Sequence, residues 1–463
     1  MFLSYMFYNY TNKKKLDENS QIQLVENFNL TTPALNRFAK PTDISKLVTR
    51  YGTPLYLIDE NTLHSKVKEL YSAYTRFNGY VKVAYSIKAN FSPAILRAFV
   101  KDGLTFDLTS IGELRFATHC NVDPDNIIYT SVTEETEEYI EVLRGGVRKV
   151  VVSSFNGMTN LSKAAHKVGL KPQTMIRVNP EVGVKAEIRA SYRNGKFGVP
   201  INGGTIDSAT KLVKHIMDDN LLEFEGFHFH LGSQITDFSC FTHALDKMDV
   251  FITRIKKNYP NFQVNTLDIG GGTPVFYNEP VPSPLKMADN HIDRLNELIE
   301  RHGKFELMLE SGRFLVAESS ILVSRIVNIK EYNGHRIVII DAGYHLLLDA
   351  ALLKQEYPQE VIPTHPIMGT EENTISKNIH LVGRLCDTFD VFPLSKASNL
   401  NYADIGKYLS FYNVGAYSVV FNMPFHCQTK PPIVMKTSDG DFKLVRKGTS
   451  YEHLFIEEGG DIF

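Results

Sequence analysis

The sequence is short of cysteine, of net charge and of long apolar runs, and each shortage narrows what the protein can be. Its four cysteines, Cys120, Cys240, Cys386 and Cys427, stand far apart in 463 residues, with no CxxC pair. That argues against a disulfide scaffold and a cysteine zinc site, and it suits a reducing, cytoplasmic setting. Lys and Arg number 50 against 52 Asp and Glu, a formal net charge of -2. No broad field therefore draws the chain to nucleic acid or to a membrane. No run of about 18 apolar residues is present, so no transmembrane helix is expected. Heptads, short-period repeats and low-complexity tracts are missing too. The opening M-F-L-S-Y-M-F-Y-N-Y is apolar, but Lys13, Lys14 and Lys15 follow it, which reverses the order of a secretory signal.

What remains is an ordinary globular composition, 43% hydrophobic and 22% charged, at a length that fits one large domain plus a second. From residue 80, short β-rich runs alternate with longer helical stretches. The runs are 81–88, 105–109, 126–131, 149–154, 174–180, 225–231, 266–271 and 306–311. Strand alternating with helix implies a parallel sheet, and eight units over roughly 240 residues match a closed (β/α)8 barrel. A doubly wound open sheet is the structural alternative. Past residue 320, runs such as I-L-V-S-R-I-V-N-I-K-E-Y and H-R-I-V-I-I-D read as a mostly antiparallel β domain. The expected organisation is α/β: an N-terminal extension (1–44), a strand and helix segment contributing to the β domain (45–78), a barrel (79–318) and a C-terminal β domain (319–463).

A barrel gathers its chemistry at the C-terminal ends of its strands. Those ends offer Lys88, Asp107, Arg177, His230, Gly270 to Gly272, Glu310 and Arg313. Lys88 closes V-A-Y-S-I-K. A surface lysine is the plain reading; a partly desolvated amine able to form a Schiff base is the functional one. D-I-G-G-G-T-P (268–274) follows the seventh run. Its glycines let backbone N–H groups approach an anion where barrels hold phosphate, with a simple tight turn as the alternative. In H-F-H-L-G-S-Q (228–234), His228 and His230 share one face at strand period. His230 suits stacking on a planar cofactor, and Ser233 suits a phosphate. No acidic neighbour in sequence completes a metal set around these histidines, so no metal is expected. E-S-G-R (310–313) joins a carboxylate, able to hold a protonated pyridine nitrogen, to an arginine suited to a phosphate or a carboxylate. In the β domain, G-R-L-C-D-T-F-D (383–390) carries Cys386 and Asp387, and G-A-Y (415–417) carries Tyr417.

In this order, Y-S-I-K-A-N, H-L-G-S-Q, D-I-G-G-G-T-P, E-S-G-R, C-D-T-F-D and G-A-Y resemble the fold-type III pyridoxal-phosphate decarboxylases of diaminopimelate, ornithine and arginine. The motifs lean toward the diaminopimelate branch. The resemblance implies pyridoxal 5'-phosphate as cofactor and decarboxylation of an amino acid with release of CO2. It implies that Lys88 carries the cofactor as a Schiff base that passes to the substrate amine, with Asp107 nearby. By the same resemblance, Arg177 interacts with Glu310, His230 stacks on the ring, and Glu310 pairs with the pyridine nitrogen. Ser233, Gly270, Gly271, Gly272, Gly312, Arg313 and Tyr417 belong to the cofactor's phosphate side, with Arg313 and Tyr417 also reaching the substrate. Cys386 as proton donor and Asp387 as grip for a distal amine come from the other subunit, so a head-to-tail homodimer with shared active sites is implied.

Two departures bear on the substrate. Ser311 stands where the family has proline, between a retained Glu310 and Arg313. More importantly, diaminopimelate enzymes carry an arginine and a tyrosine for the distal carboxylate after a β-domain strand, and D-A-G-Y-H-L-L-L-D-A-A-L-L-K (341–354) has no arginine. C-D-T-F-D also has aspartate where those enzymes have C-E-S. The implied substrate is thus diaminopimelate-, ornithine- or lysine-like, or an amino acid or carrier-linked intermediate of a siderophore or antibiotic-type pathway. A racemase on the same fold and a non-catalytic binding relative are the alternative functions. The first lacks an H-T-G-M-G-R-like stretch, and the second would have lost cofactor residues that are all kept here.

Overall fold

A computed structural model describes residues 28–29, 35–186, 188–203, 206–362, 378–394 and 400–459. The expected extension lies outside the described residues except for 28–29 and 35–44.

The first long strand, β1 (Leu55–Asp59), stands apart from the barrel. The eight runs read from the sequence then follow as β2 (Tyr80–Ser86), β3 (Thr105–Leu108), β4 (Ile127–Thr130) and β5 (Lys149–Val152), then β6 (Gln173–Asn179), β7 (Glu223–His228), β8 (Thr266–Asp268) and β9 (Glu306–Ser311). Each pairs in parallel with the next, and β9 pairs with β2. The sheet therefore closes on itself, which excludes the open doubly wound alternative. Ala84, Ile128, Val151, Met175 and Met308 fill its interior as a separate buried cluster. The floor is polar. Lys149 Nζ lies 3.0 Å from Glu225 and 3.5 Å from Glu306, which also meets Lys82 at 3.1 Å. A lysine at this N-terminal end serves stability, whereas Lys88 is at the opposite end.

Seven of the eight strands stop one to three residues short of their sequence runs, and three of these endings place site residues. β2 ends at Ser86, and Lys88 sits on a following 3-10 turn, Ile87–Ala89, closed by Asn90 N–H donating to Ile87 O at 2.9 Å. Asn90 pins that turn, since its side chain donates to Gly415 O and accepts from Ser92 N. β7 ends at His228, leaving His230 just beyond it. β8 ends at Asp268, because Gly270 adopts a left-handed φ of +69° that leaves the ladder.

Helix α1 (Pro41–Tyr51) precedes β1, and α2 (Glu60–Ala73) follows it, started by Asp59 accepting from Thr62 N–H. The barrel's last long helix, α3 (Pro284–His302), is capped in the same way by Ser283. The 45–78 segment is thus divided. β1 enters the β-domain sheet, and α2 packs along α3 in the helical ring. His291 of α3 is buried against Tyr74, which caps the C-terminal end of α2, with Tyr74 Oη 3.0 Å from its Nε2. Burial holds its pKa near 3, below the ordinary 6.5. The native state thus refuses a proton that the unfolded chain binds. Its contribution to stability is complete above pH 6.5 and is lost as pH falls toward 3, by roughly 2 kcal/mol at pH 5. Urea midpoints between pH 7 and pH 5 should drop, with a shallower slope in His291→Phe.

The β domain contains β10 (Ser320–Tyr332), β11 (His335–Ile340), β12 (Gln359–Ile362), β13 (Ile379–Val382) and β14 (Val391–Phe392), then β15 (Tyr408–Tyr412), β16 (Ile433–Lys436) and β17 (Phe442–Arg446). The sheet runs β14–β13–β11–β10–β1–β16–β17, with β15 pairing β10 and β12. All pairs are antiparallel except β11–β13 and β1–β16. Period-two alternation sorts β1 between two cores. Leu55 and Leu57 join α1's Ile44, Leu47 and Val48, while Tyr56 and Ile58 face the main core.

Candidate active site

At the barrel mouth, Lys88 Nζ lies 3.6 Å from Oδ2 of Asp107, a residue of β3. Behind them Glu310 of β9 is buried. Its Oε1 is 3.4 Å from His228 Nε2 and its Oε2 is 4.0 Å from His230 Nδ1. Both histidines thus reach one carboxylate, and His230 Nδ1 also accepts from Gly271 N–H at 3.0 Å. The Arg177 guanidinium lies over the Phe197 ring at 4.6 Å, and no ion pair within 4.0 Å joins it to Glu310. Arg177 and Glu310 act on each other through their charges at longer range.

These groups titrate in opposite directions. Burial works to raise Glu310, but His228, Lys88 and His230 outweigh it and hold Glu310 well below the ordinary carboxylate range. Burial and the charge of Glu310 push Asp107 up, against the pull of Lys88, and they push Asp268 far up. Burial drives His230 down to about 3, so the imidazole is neutral at pH 7. Burial opposes the Lys88 ammonium, yet Asp107 and Glu310 prevail and raise its pKa. The Lys88 side chain is 43% exposed at the open mouth, so solvent screens that pull and reagents reach the amine.

The glycine loop is tight by necessity. A Cβ at Gly270 would meet Phe229 O at 2.6 Å, one at Gly271 would meet Glu310 O at 2.4 Å, and one at Gly272 would meet Ile235 Cδ1 at 2.7 Å. Two of its three amides are already engaged, Gly270 N–H with Asp268 Oδ1 and Gly271 N–H with His230. Among the described residues, Gly272 N–H alone of the three has no acceptor. Gly271→Ala is expected to push the Glu310 carbonyl away, cost about 1–3 kcal/mol of stability and weaken cofactor binding. Thermal unfolding and cofactor titration measure both.

Arg313, buried, donates to Tyr277 Oη at 3.1 Å, lies 3.7 Å from Asp349 Oδ2, and sits 4.7 Å from the Tyr417 ring centroid. Its Nε has no partner among the described residues. Gly312 fits against Ala89 of the Lys88 turn, where a Cβ would come within 3.0 Å. Tyr417 takes a left-handed φ of +57° and donates its N–H to Ala89 O at 2.9 Å. Ser233 is half-buried in a short pairing with Ile188.

Cys386 and Asp387 stand on a separate loop of the β domain. Asp390 clamps it, accepting from Tyr344 N–H and Leu385 N–H at 2.7 Å each. Tyr344 Oη lies 3.4 Å from Asp387 Oδ2, and Cys386 is exposed. No hydrogen bond or ion pair among the described residues joins this loop to the Lys88 group.

The profile of the family described as "Pyridoxal-dependent decarboxylase, pyridoxal binding domain" matches residues 62–317, more than half of the chain. The chain belongs to the pyridoxal-dependent decarboxylases. A diaminopimelate decarboxylase of Aquifex aeolicus is 28% identical over 430 residues, covering 92% of this chain and 96% of that one. The crystal structure of the Methanocaldococcus jannaschii diaminopimelate decarboxylase superposes with a TM-score of 0.80 at 26% identity, covering 89% and 93%. That of the Helicobacter pylori enzyme, complexed with L-lysine, gives 0.79 at 25%, covering 90% and 100%. The protein is a pyridoxal-phosphate-dependent amino-acid decarboxylase, as the sequence motifs implied.

The residues of this decarboxylase fit its cofactor. Among the described residues, Glu310 Oε1 and Arg313 Nε, one anionic and one cationic group, are buried polar atoms without hydrogen-bond partners. The loop at Gly270 to Gly272 leaves no room for side chains. The neutral imidazole of His230 lies beside Glu310 and the Gly271 amide. Sequence reasoning missed Asp268, Tyr277 and Asp349, which support these groups. It also judged that no acid stood near His228, but barrel closure brings Asp268 and Glu310 to within 4.8 Å of it. Asp268 is pushed toward its protonated form and engages Gly270 N–H, so this trio supports the ring site. In sequence, the one hint of Asp268 was its place at the head of D-I-G-G-G-T-P.

Proposed function

We propose that this decarboxylase acts on a small amino acid with a second amine at its far end, of the ornithine or lysine kind, and that Lys88 holds the cofactor and exchanges it with the substrate amine. The observation that carries the reading is the Lys88 amine, open to the mouth and 3.6 Å from Asp107, with a buried Glu310 behind it whose Oε1 has no hydrogen-bond partner among the described residues. Bound pyridoxal phosphate supplies the electron sink that receives the pair left when CO2 departs. Glu310, held anionic, would hold the cofactor's pyridine nitrogen and keep it protonated. His230 offers a flat neutral face, its Nδ1 occupied by Gly271. Gly272 N–H and Arg313 Nε, with Ser233 and Tyr417, take the phosphate, while Gly270, Gly271 and Gly312 keep the backbone close. Cys386 Sγ returns a proton to the α-carbon, and Asp387 beside Tyr344 takes the distal amine.

Because no hydrogen bond or ion pair among the described residues joins Cys386 and Asp387 to the Lys88 group of their own chain, we take them to serve a second copy in a cytoplasmic, head-to-tail homodimer. The working division is a cofactor barrel over 79–318 and a β domain over 319–463 joined by the strand of 45–78. Mixing Lys88→Ala with Cys386→Ala protein and allowing subunits to exchange tests the shared site. Random exchange gives hybrids with one intact site, and activity returns to about a quarter of wild type. No recovery sinks the sharing.

A second reading, a diaminopimelate substrate, is favoured by the names of the relatives. Against it, the 341–354 segment contributes an acid, Asp349, already paired with Arg313. CO2 release from ornithine, lysine, meso-diaminopimelate and their D-forms separates the two, with turnover expected to be highest for a chain ending in an amine.

A further inference from the structure

A second cavity lies within the β domain and shares no residue with the Lys88 group. It occupies about 420 Å³ between the end of α1, the turn after β11, the entry to β16 and the end of β17. Four cations line it: Arg50, Arg384, Lys430 and Lys447. All four are exposed, and among the described residues none is in an ion pair within 4.0 Å. Elsewhere in the chain cations do find carboxylates: Arg294 alone meets Asp246, Asp249 and Glu297. One acid lines the cavity, Asp341, and its own wall holds it. Thr53 Oγ1 donates to its Oδ2 at 2.5 Å, and Ser324 Oγ and Arg325 N–H donate to its Oδ1 at 2.8 Å each. With a net charge of -2 over the whole chain, this is a local excess of positive charge, not a general one.

A buried group points the same way. His345 lines the cavity at 2% exposure, and its Nδ1 has no hydrogen-bond partner among the described residues. Burial and the neighbouring Arg384 keep its pKa down at about 4, so it is a neutral wall. Its Nδ1 is turned in against Gly343, so the ring adds no charge to the wall and leaves the cavity's field to the four cations. The Thr449 hydroxyl, which accepts from Lys430 N–H at 2.7 Å, keeps its own proton to donate.

We propose that this cavity binds a small molecule carrying at least two negative charges. The two arginines present forked donors that match carboxylate or phosphate oxygens, and the lysines add point charge. The volume is that of a small-metabolite pocket. Like charges gathered around one cavity repel until an anion neutralises them, so the ligand relieves a standing cost. The site lies beside the segment from Asp341 to His345, which also supplies Tyr344 to the Cys386 loop.

The test is isothermal titration calorimetry on the pyridoxal-phosphate-loaded protein at low salt, so that the catalytic phosphate site is filled. Pyrophosphate and citrate are the probes, one for phosphate and one for carboxylate ligands. At least one of them should bind saturably, one per chain. Affinity should fall tenfold or more in Arg50→Gln/Lys447→Gln, two exposed changes remote from Lys88 that leave decarboxylation without probe unchanged. The better probe identifies the acid type of the natural ligand. Failure of both probes to bind wild type, or equal binding to the double variant, overturns the site.

Discussion

Lys88→Ala is expected to abolish the visible absorption of the bound cofactor and to reduce decarboxylation by ~10³-fold or more. The size of the effect follows from position. An amine held on a rigid turn is presented to the cofactor at an effective concentration that free amines in solution do not match. The turn is rigid because Asn90 ties it to Ser92 and Gly415, and because Tyr417 N–H and Gly312 pack against Ala89. Lys88→Arg separates charge from chemistry. It keeps a cation beside Asp107 but offers no amine that forms a Schiff base, so it should fold like wild type and still lose the absorption band. If Lys88→Arg retained both band and activity, another residue would hold the cofactor.

Glu310→Gln is expected to lower kcat by ~10²–10³-fold while cofactor absorption persists. The carboxylate lies below the ordinary range because His228, Lys88 and His230 favour its charge. An amide removes that charge and leaves a pyridine nitrogen without the anion that keeps it protonated. Glu310→Asp retains the charge on a shorter arm and should fall between the two. The loss belongs in kcat more than in KM, since the interaction strengthens as electrons flow into the ring. Unchanged kcat in Glu310→Gln would remove Glu310 from the chemistry.

Much of this was legible before any coordinates. The eight strand runs are visible because fully buried parallel strands are dense in β-branched residues and end in polar ones, as in K-V-V-V-S-S. Lys88, His230, Glu310 and Arg313 stand out because a barrel points all its strand ends one way. What the sequence hides is closure. His228 and Glu310 are far apart along the chain and 3.4 Å apart in space, and Asp268 joins them only when β7, β8 and β9 lie side by side. The same holds for Asp349, whose link to Arg313 at 3.7 Å crosses from the β domain to the barrel. The glycine loop reads in sequence as backbone N–H groups able to approach an anion; that two of its amides are engaged by Asp268 and His230 is not visible locally. The Arg177 guanidinium meets the Phe197 ring, on the segment after β6, at 4.6 Å and feels Glu310 through its charge, and local sequence does not reveal that ring partner.

The central claim is that pyridoxal phosphate is held on Lys88. Borohydride reduction of the loaded protein, followed by proteolysis and mass spectrometry, tests it directly. The predicted result is one pyridoxyl-phosphate adduct per chain, on the peptide carrying Lys88; an adduct on a different lysine, or none, would contradict it.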